Sequence, residues 1–271
     1  FMVIPIGRPF FIGETQVNMQ ATDLNVAVLY ILAMSSLAVY AVVFAGWASG
    51  SKYPMLGGVR ATAQMISYEA AMALSLVPVI LFASSQIGDG SFGIGTMSMS
   101  TIVELQQGAF RGPIPAWFIF WLLPSFVIFF ISAVAEANRA PFDLVEAETE
   151  IVGGFHTEYS GIRFALFFLA EYINMFNLSA IATTLFLGGW LGPTFEGTVP
   201  NFIAGLMPVF WFFVKTFALL FLFIRIRATL PRLRYDQLMT LGWKRLIPAS
   251  LAWLVLFTLV MSWRSFGAPW S

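Results

Sequence analysis

Long apolar runs separated by short polar segments make up most of the chain. Six of these runs approach or exceed the roughly 20 residues that a helix needs to cross the hydrocarbon core of a bilayer. They cover residues 24–47, 59–85, 116–135, 164–191, 202–224 and 246–263. The strict alternation of polar and apolar positions that marks the strands of a membrane barrel is missing from all six. The pattern therefore predicts an all-α, polytopic transmembrane helical bundle with at least six membrane-spanning helices, forming a single domain over residues 1–271.

The chain begins in an apolar stretch, FMVIPIG, without an initiator Met or a charged leader. No signal peptide is visible in this stretch, and it resembles the end of an earlier helix. We therefore expect a further N-terminal helix upstream of the first residue.

The composition is that of an integral membrane protein. Hydrophobic residues make up 59% of the chain and charged residues 10%, whereas about 25% of the residues of a soluble domain are charged. The sequence contains no Cys, which excludes disulfides and iron–sulfur clusters held by thiolates. The single His156 cannot supply two axial ligands to a haem. We therefore predict no metal site, and any redox centre must belong to a partner.

Basic residues divide unequally between the two faces of the membrane. If the six helices alternate in direction, ten basic residues lie on the face that carries the loops after the first, third and fifth runs, which we call side A. Three basic residues lie on the opposite face. Because Lys and Arg favour the cytoplasmic side of a membrane, side A is predicted to be cytoplasmic. The formal net charge of zero gives no indication of nucleic-acid binding.

The basic loop 225–245 on side A holds more charge than topology requires. Docking of a cytoplasmic partner and binding of lipid head groups both stay open as its role. The candidate residues for docking are Arg227, Arg232, Arg234 and Asp236.

Three ionisable residues, Glu69, Glu171 and Lys215, lie within the apolar runs. Each costs about 2.5 to 3.5 kcal/mol at the centre of a bilayer, which makes such residues candidates for function. At about 1.5 Å per residue they lie roughly 15, 10 and 14 Å from the side A ends of their helices, in one layer. The layer could be a static ion pair that holds three helices together, or a proton relay.

The second run carries polar residues on two faces. A helical wheel places Arg60, Gln64 and Ser67 on one side and Glu69 nearly opposite. We therefore expect protein or water on both sides of this helix.

The most unusual segment is AEANRAPFDLVEAETEIVGGFHTEYSG, residues 135–161, which contains six of the fourteen acidic residues. They are Glu136, Asp143, Glu146, Glu148, Glu150 and Glu158. A solvated acidic face is one explanation, and for Asp143 another is the capping of a helix that begins near Pro141. Because apolar residues separate the acids, we favour a partly buried funnel in the acidic loop 136–161. It would lead from cytoplasmic side A to the layer of intramembrane charges.

Four blocks of sequence together point to a known family. The acidic segment is accompanied by SSLAVYAVVFAGWASGSKYPMLGGVRATAQMISYE, ALFFLAEY and RATLPRLRYDQLMTLGWK. In order and spacing, these blocks resemble the NuoH-type membrane subunit of proton-pumping NADH:quinone oxidoreductase, which is respiratory complex I. The resemblance covers nearly the whole chain.

The resemblance implies a subunit that forms the quinone-binding cavity, anchors the peripheral electron-transfer arm and couples quinone reduction to proton translocation. The residues that would line or adjoin the cavity and its acidic funnel are Glu136, Arg139, Asp143, Glu146, Glu148, Glu150 and Glu158. Glu69 and Glu171 would continue the proton path toward the membrane axis. Lys215 and Arg227 lie in matching blocks, with less defined roles.

The resemblance also implies which functions belong to this chain and which belong to partner subunits. The enzyme would be the whole H⁺-translocating complex, with quinone as its substrate and no catalytic residue or bound cofactor on this chain alone. FMN, NADH and the iron–sulfur clusters would belong to partner subunits. The expected partners are the other peripheral and membrane-arm subunits of complex I and the lipid bilayer. A bacterial plasma membrane is favoured, and a mitochondrial inner membrane stays open.

Two other functions stay open. Related membrane subunits serve hydrogenases and ferredoxin-linked complexes, in which the electron donor differs. A stand-alone ion transporter could use the intramembrane charges alone, although the internal repeats typical of transporters are not visible in this sequence. The family's N-terminal transmembrane helix and amphipathic surface helix have no counterpart in these residues, which leaves the quinone entrance unassigned.

Overall fold

A computed structural model describes residues 2–12, 15–87, 97–111, 114–143, 153–193 and 201–266. The α-helices in these ranges are α1 (Ala27–Ala48), α2 (Lys52–Ile87), α3 (Met99–Leu105), α4 (Leu123–Glu136), α5 (Gly161–Phe186), α6 (Asn201–Thr229), α7 (Tyr235–Thr240) and α8 (Ile247–Phe266). Two 3₁₀ turns cover Phe118–Phe120 and Gly154–His156, and a π-helical turn, Leu241–Leu246, joins α7 to α8. The predicted all-α class is confirmed.

Two short antiparallel hairpins accompany the helices in the described ranges. Strand β1 (Phe10–Ile12) pairs with β2 (Thr15–Val17), with Phe10 opposite Val17. Strand β3 (Ala109–Arg111) pairs with β4 (Ile114–Pro115) through an irregular register. These strands have two or three residues each and do not change the fold class.

Within the described ranges, five helical segments are long and apolar enough to cross a membrane: α1, α2, α5, α6 and the combined segment of α7, the π-helical turn and α8. They match five of the six predicted runs. The remaining run, 116–135, forms a 3₁₀ turn followed by α4, whose 14 residues extend about 21 Å. Pro124 occupies the first turn of α4, where a missing N–H is tolerated. Most of α4 is buried by its neighbours, so this helix does not have to match the lipid thickness by itself.

Helix α2 is the centre of the bundle. It has 36 residues and packs against α1, α4 and α8. Its apolar side chains, such as Tyr68, Met72 and Val79, belong to one buried cluster that also includes residues of α4, α5 and α6. Because other helices pack around the middle of α2, some of its polar side chains are buried inside protein, among them Gln64, Ser67 and Ser75.

Large apolar side chains cover the outside of the bundle. Leu37 of α1, Phe221 of α6 and Leu259 of α8 are 59%, 61% and 64% exposed. Apolar patches of this extent are uncommon on soluble monomers, and a surrounding bilayer accounts for them. The fold is therefore that of an integral membrane protein.

Candidate functional site

Two carboxyl groups from different helices reach adjacent serines on α1. The Ser35 hydroxyl donates to Glu136 at the end of α4, and the Ser36 hydroxyl donates to Glu69 of α2. Ser35 and Ser36 are adjacent residues of α1, so the two carboxyl groups meet the same turn of that helix. Glu136 is 4% exposed, and its Oε2 atom has no hydrogen-bond partner in the described part of the chain. This arrangement, the Glu69–Glu136 pair, brings acids of α2 and α4 to one turn of α1.

A second group of ionisable side chains gathers around Glu171 of α5. The Arg139 Nη2 atom is 3.3 Å from Glu171 Oε2, and the two side chains are 6% and 13% exposed. His156 Nε2 lies 3.9 Å from the other Glu171 oxygen. The Arg139 guanidinium also stacks over the Tyr172 ring, 4.4 Å from its centroid. We call Arg139, Glu171 and His156 the Glu171 triad.

Several polar atoms of the triad are buried without hydrogen bonds to the residues that the structure describes. They are Arg139 Nε and Nη2, Glu171 Oε2 and both ring nitrogens of His156. The Arg139–Glu171 contact is thus an ion pair by distance without hydrogen-bond geometry. Buried polar groups are normally satisfied by protein or by ordered water. The triad is therefore a place where water or a polar ligand would be stabilised.

The turn that follows α4 is held by Gln64 of α2. Its side-chain amide donates to the carbonyl oxygens of Ala135 and Phe142, both at 2.9 Å, and the residue is fully buried. Asn138 within the turn adopts a left-handed conformation, with φ of 48°, that Asn tolerates better than most residues. Gln64 thereby fixes the backbone that carries both Glu136 and Arg139.

A close backbone contact between Gly57 and Gly154 and a set of aromatic rings fix the position of His156. A Cβ atom on Gly57 of α2 would lie 2.8 Å from the Cα atom of Gly154, so only glycine lets these backbones approach so closely. Four phenylalanine rings lie around the imidazole, with centroids between 3.9 and 5.8 Å away: Phe155, Phe164, Phe167 and Phe168. The His156 ring therefore faces Glu171 from an apolar environment.

The basic segment after α6 packs onto the same end of the bundle. Tyr68 donates to the Leu238 carbonyl at 2.9 Å, and Trp243 donates to the Ser67 hydroxyl at 2.9 Å. Arg232 lies 3.4 Å from Asp143 and is 53% exposed. These contacts place the segment beside the turn after α4, at the side A end of the helices.

Helix α2 has protein on both of its polar faces, as the helical wheel led us to expect. Arg60 lies over the Tyr235 ring at 5.7 Å, and Ser67 accepts from Trp243. Glu69 on the opposite face meets α1 through Ser36.

The structure brings together part of the predicted site. The Glu69–Glu136 pair and the Glu171 triad contain Glu69, Glu136, Arg139 and Glu171, and Asp143 lies beside Arg232. The predicted residues that are exposed are Glu158, Arg227, Arg232, Arg234 and Asp236. Glu146, Glu148 and Glu150 lie outside the described residues.

Lys215 does not join the predicted layer. Its ammonium group donates to the carbonyl oxygens of Leu187, Gly189 and Leu191, beyond the C-terminal end of α5. Leu187 lies about 24 Å along the axis of α5 from Glu171, at 1.5 Å per residue. Depth within its own helix did not predict this position, because the Lys215 side chain extends toward the side opposite to side A.

Sequence reasoning missed the partners of the acids. Ser35, Ser36 and His156 were not among the predicted site residues, although each contacts a predicted acid. A pair of adjacent serines in an apolar helix is a weak signal, since such hydroxyls often bond only to their own helix. The lone His156 within the acidic segment was the stronger signal.

The site offers little to a metal ion. Among the residues that the structure describes, no three of His, Asp and Glu gather into a group that could hold one. Its chemistry is therefore that of buried carboxyl, guanidinium and imidazole groups.

The fold and the site define a multi-pass membrane protein that carries a network of ionisable side chains inside its helical bundle. Over residues 1–258 the chain matches the family model described as NADH dehydrogenase, and it belongs to that family. It is accordingly a membrane subunit of a complex of the complex I type.

Proposed function

We propose that this chain is the NuoH-type subunit of complex I, which forms the wall of the quinone-binding cavity, anchors the peripheral electron-transfer arm and couples quinone reduction to proton translocation. The observation that carries the proposal is the gathering of the Glu69–Glu136 pair and the Glu171 triad at the end of the bundle where the acidic segment begins. Charges inside a membrane protein are costly and mark ion or proton pathways.

Quinone reduction at this wall would require protons from the protein. The quinone takes up two electrons and two protons to become quinol. The electrons would come from NADH through FMN and iron–sulfur clusters in partner subunits, since this chain has no Cys to hold a cluster. The acids of the segment 136–161 would supply the protons or replace them from the cytoplasmic side.

Coupling would follow from the electrostatics of the buried acids. Inside a protein the interaction between two charges is much stronger than in water, because the effective dielectric constant is lower. A change of charge in the cavity, beside Arg139 and Asp143, would alter the protonation of the Glu69–Glu136 pair. Such a local change of charge can bias the conformation of helices further along the membrane arm.

The docking role belongs to the basic segment. Arg227, Arg232 and Arg234 are exposed at the side A end, and Arg232 lies beside Asp143 of the turn after α4. A peripheral subunit bound there would sit directly over the two buried acidic groups, so the cavity would form between the arm and this chain.

The test uses the intact complex in its native membrane. In Glu69→Gln and Glu136→Gln, we expect NADH-dependent quinone reduction to persist while proton pumping per quinone reduced falls at least several-fold. The matched control is Glu104→Gln, since Glu104 is exposed on the short helix α3. Full pumping in both variants would contradict the coupling role.

Purification of the tagged chain tests the identity of the assembly. Copurification of flavin and iron–sulfur subunits that oxidise NADH is expected. Hydrogenase subunits in their place would change the electron donor, and a chain that purifies alone would favour an ion transporter.

A further inference from the structure

The Lys215 ammonium group is enclosed by backbone carbonyls. Its Nζ atom donates to Leu187 O at 2.5 Å, to Gly189 O at 3.0 Å and to Leu191 O. An ammonium group has three N–H donors and no acceptor, so these three carbonyls satisfy it completely. The residue is 7% exposed. Lys215 therefore sits in a closed carbonyl site that has no free donor left for an acid.

An aromatic ring covers the same cation. The Nζ atom lies 4.6 Å from the centroid of the Trp117 ring, within the range of a cation–π contact. Trp117 belongs to the segment that leads into α4, whereas the three carbonyls follow α5. One side chain of α6 thus joins three separate parts of the bundle.

The carbonyls that Lys215 binds lie in the turn that directly follows the C-terminal end of α5. The last carbonyls of an α-helix lack partners within the helix, and they carry partial negative charge. At the end of α5, Gln106 donates to Thr184 O at 3.2 Å and to Leu185 O at 3.4 Å. Lys215 then binds the carbonyls of the turn that follows. Gln106 and Lys215 therefore supply donors to five carbonyls at and just after the C-terminal end of α5.

The turn after α5 has the conformation that this site requires. Gly188 and Gly189 have φ of 72° and 51°, a left-handed backbone that glycine adopts without strain. A Cβ on Gly188 would lie 2.7 Å from the Trp117 ring. The glycine turn therefore packs directly against the Trp117 ring, and both contact the ammonium group.

We propose that Lys215 is a structural cation, which closes the C-terminal end of α5 and holds α6 and the segment before α4 against it. Among the described residues, no acid forms an ion pair with Lys215. The proposal does not rest on the quinone-cavity function, because it concerns the far end of the bundle.

A structural cation and a proton relay respond differently to arginine, which stays protonated in proteins. In the intact complex, Lys215→Arg is expected to retain more than half of the assembled complex and of its proton transport. Lys215→Met, which has a similar length and no charge, is expected to lower the amount of assembled complex several-fold and its thermal midpoint by several degrees. Lys52→Met, at the exposed start of α2, is the control and should change neither quantity.

Two results would overturn the proposal. One is a Lys215→Met complex that assembles to the normal amount and melts at the normal temperature. The other is a Lys215→Arg complex that assembles normally but has lost proton transport. The amount and the thermal midpoint do not depend on quinone chemistry, so their outcome is separate from that of the proposed function.

Chemical rescue gives a second test, which applies even if arginine does not fit the site. Lys215→Ala leaves the carbonyls and the Trp117 ring facing a space that n-propylammonium would fill. Addition of n-propylammonium to the purified Lys215→Ala complex should raise its thermal midpoint, while 1-propanol and tetramethylammonium, which lack the three N–H donors, should not. Equal effects of all three compounds, or none from the amine, would contradict the carbonyl site.

Discussion

The Arg139 guanidinium lies 3.3 Å from the Glu171 carboxylate and joins the turn after α4 to the interior of α5. Both side chains are largely buried, so each charge depends on the other for compensation. His156 approaches the other oxygen of the same carboxylate, at 3.9 Å. The acidic segment and the membrane helix are thereby linked through one carboxyl group.

Removal of one partner from this ion pair should be strongly destabilising. Arg139→Met leaves the buried Glu171 carboxylate uncompensated, and the loss for such a change is about 3–5 kcal/mol. The double variant Arg139→Met with Glu171→Gln should recover much of this loss, because neither charge remains. Thermal unfolding of the assembled complex measures both. Equal stability of Arg139→Met and the double variant would contradict the claim that the uncompensated Glu171 carboxylate causes the loss.

The glycine contact beneath His156 should not tolerate a methyl group. In Gly57→Ala the new Cβ would lie 2.8 Å from Gly154 Cα, and overpacking of this kind costs about 1–3 kcal/mol. The control is Gly108→Ala, where the nearest atom would be 3.8 Å away. A lower thermal midpoint and faster proteolysis at residues 153–160 are expected for Gly57→Ala alone. Identical behaviour of both variants would contradict this account of the contact.

Gln64 should be required for the position of the turn that carries Glu136 and Arg139, although its side chain is neutral. Gln64→Met removes the donor to the carbonyls of Ala135 and Phe142, and an unsatisfied buried polar group costs about 1–3 kcal/mol. Gln86→Met, at the exposed end of the same helix, is the control. We expect a loss of stability together with reduced quinone reductase activity in Gln64→Met. Unchanged activity would mean that the turn keeps its position without this donor.

His156 offers a way to separate function from stability. Both of its ring nitrogens are buried without hydrogen bonds to the described residues, and phenylalanine rings surround it. His156→Phe removes these unsatisfied atoms, so the thermal midpoint should stay the same or rise. Turnover of the complex should fall, because Glu171 loses its imidazole neighbour. His156→Ala, which leaves a cavity, should lower stability. If His156→Phe keeps full turnover, the ring has a packing role only.

The sequence predicted the helices much better than their contacts. Runs of about 20 apolar residues located α1, α2, α5, α6 and α8, because such a run is stable across a bilayer almost only as a helix. The exception was 116–135, where Pro124 and a 3₁₀ turn shorten α4. Hydrophobicity could not reveal this, since a helix enclosed by other helices is as apolar as one that faces lipid.

The sequence predicted the acids of the candidate site but not the residues that contact them. The rarity of charge in an apolar chain marks Glu69 and Glu171, and the motif marks Glu136 and Arg139. That Ser35 binds Glu136 while Ser36 binds Glu69 depends on how α1 is rotated against its neighbours. Helix rotation is set by packing over the whole length of the bundle, and no local pattern records it.

Residue type and order were enough to define a helical membrane protein, the residues that lie in its helices, and the acids that are candidates for function. These properties follow from the transfer of side chains between water and lipid, which depends on each residue and its neighbours along the chain. It took the packing of the helices to show that Arg139 and His156 share Glu171, and that Lys215 closes the end of α5 instead of joining Glu69 and Glu171. A long flexible side chain can extend toward either end of its helix, and the neighbouring backbone determines which end it reaches.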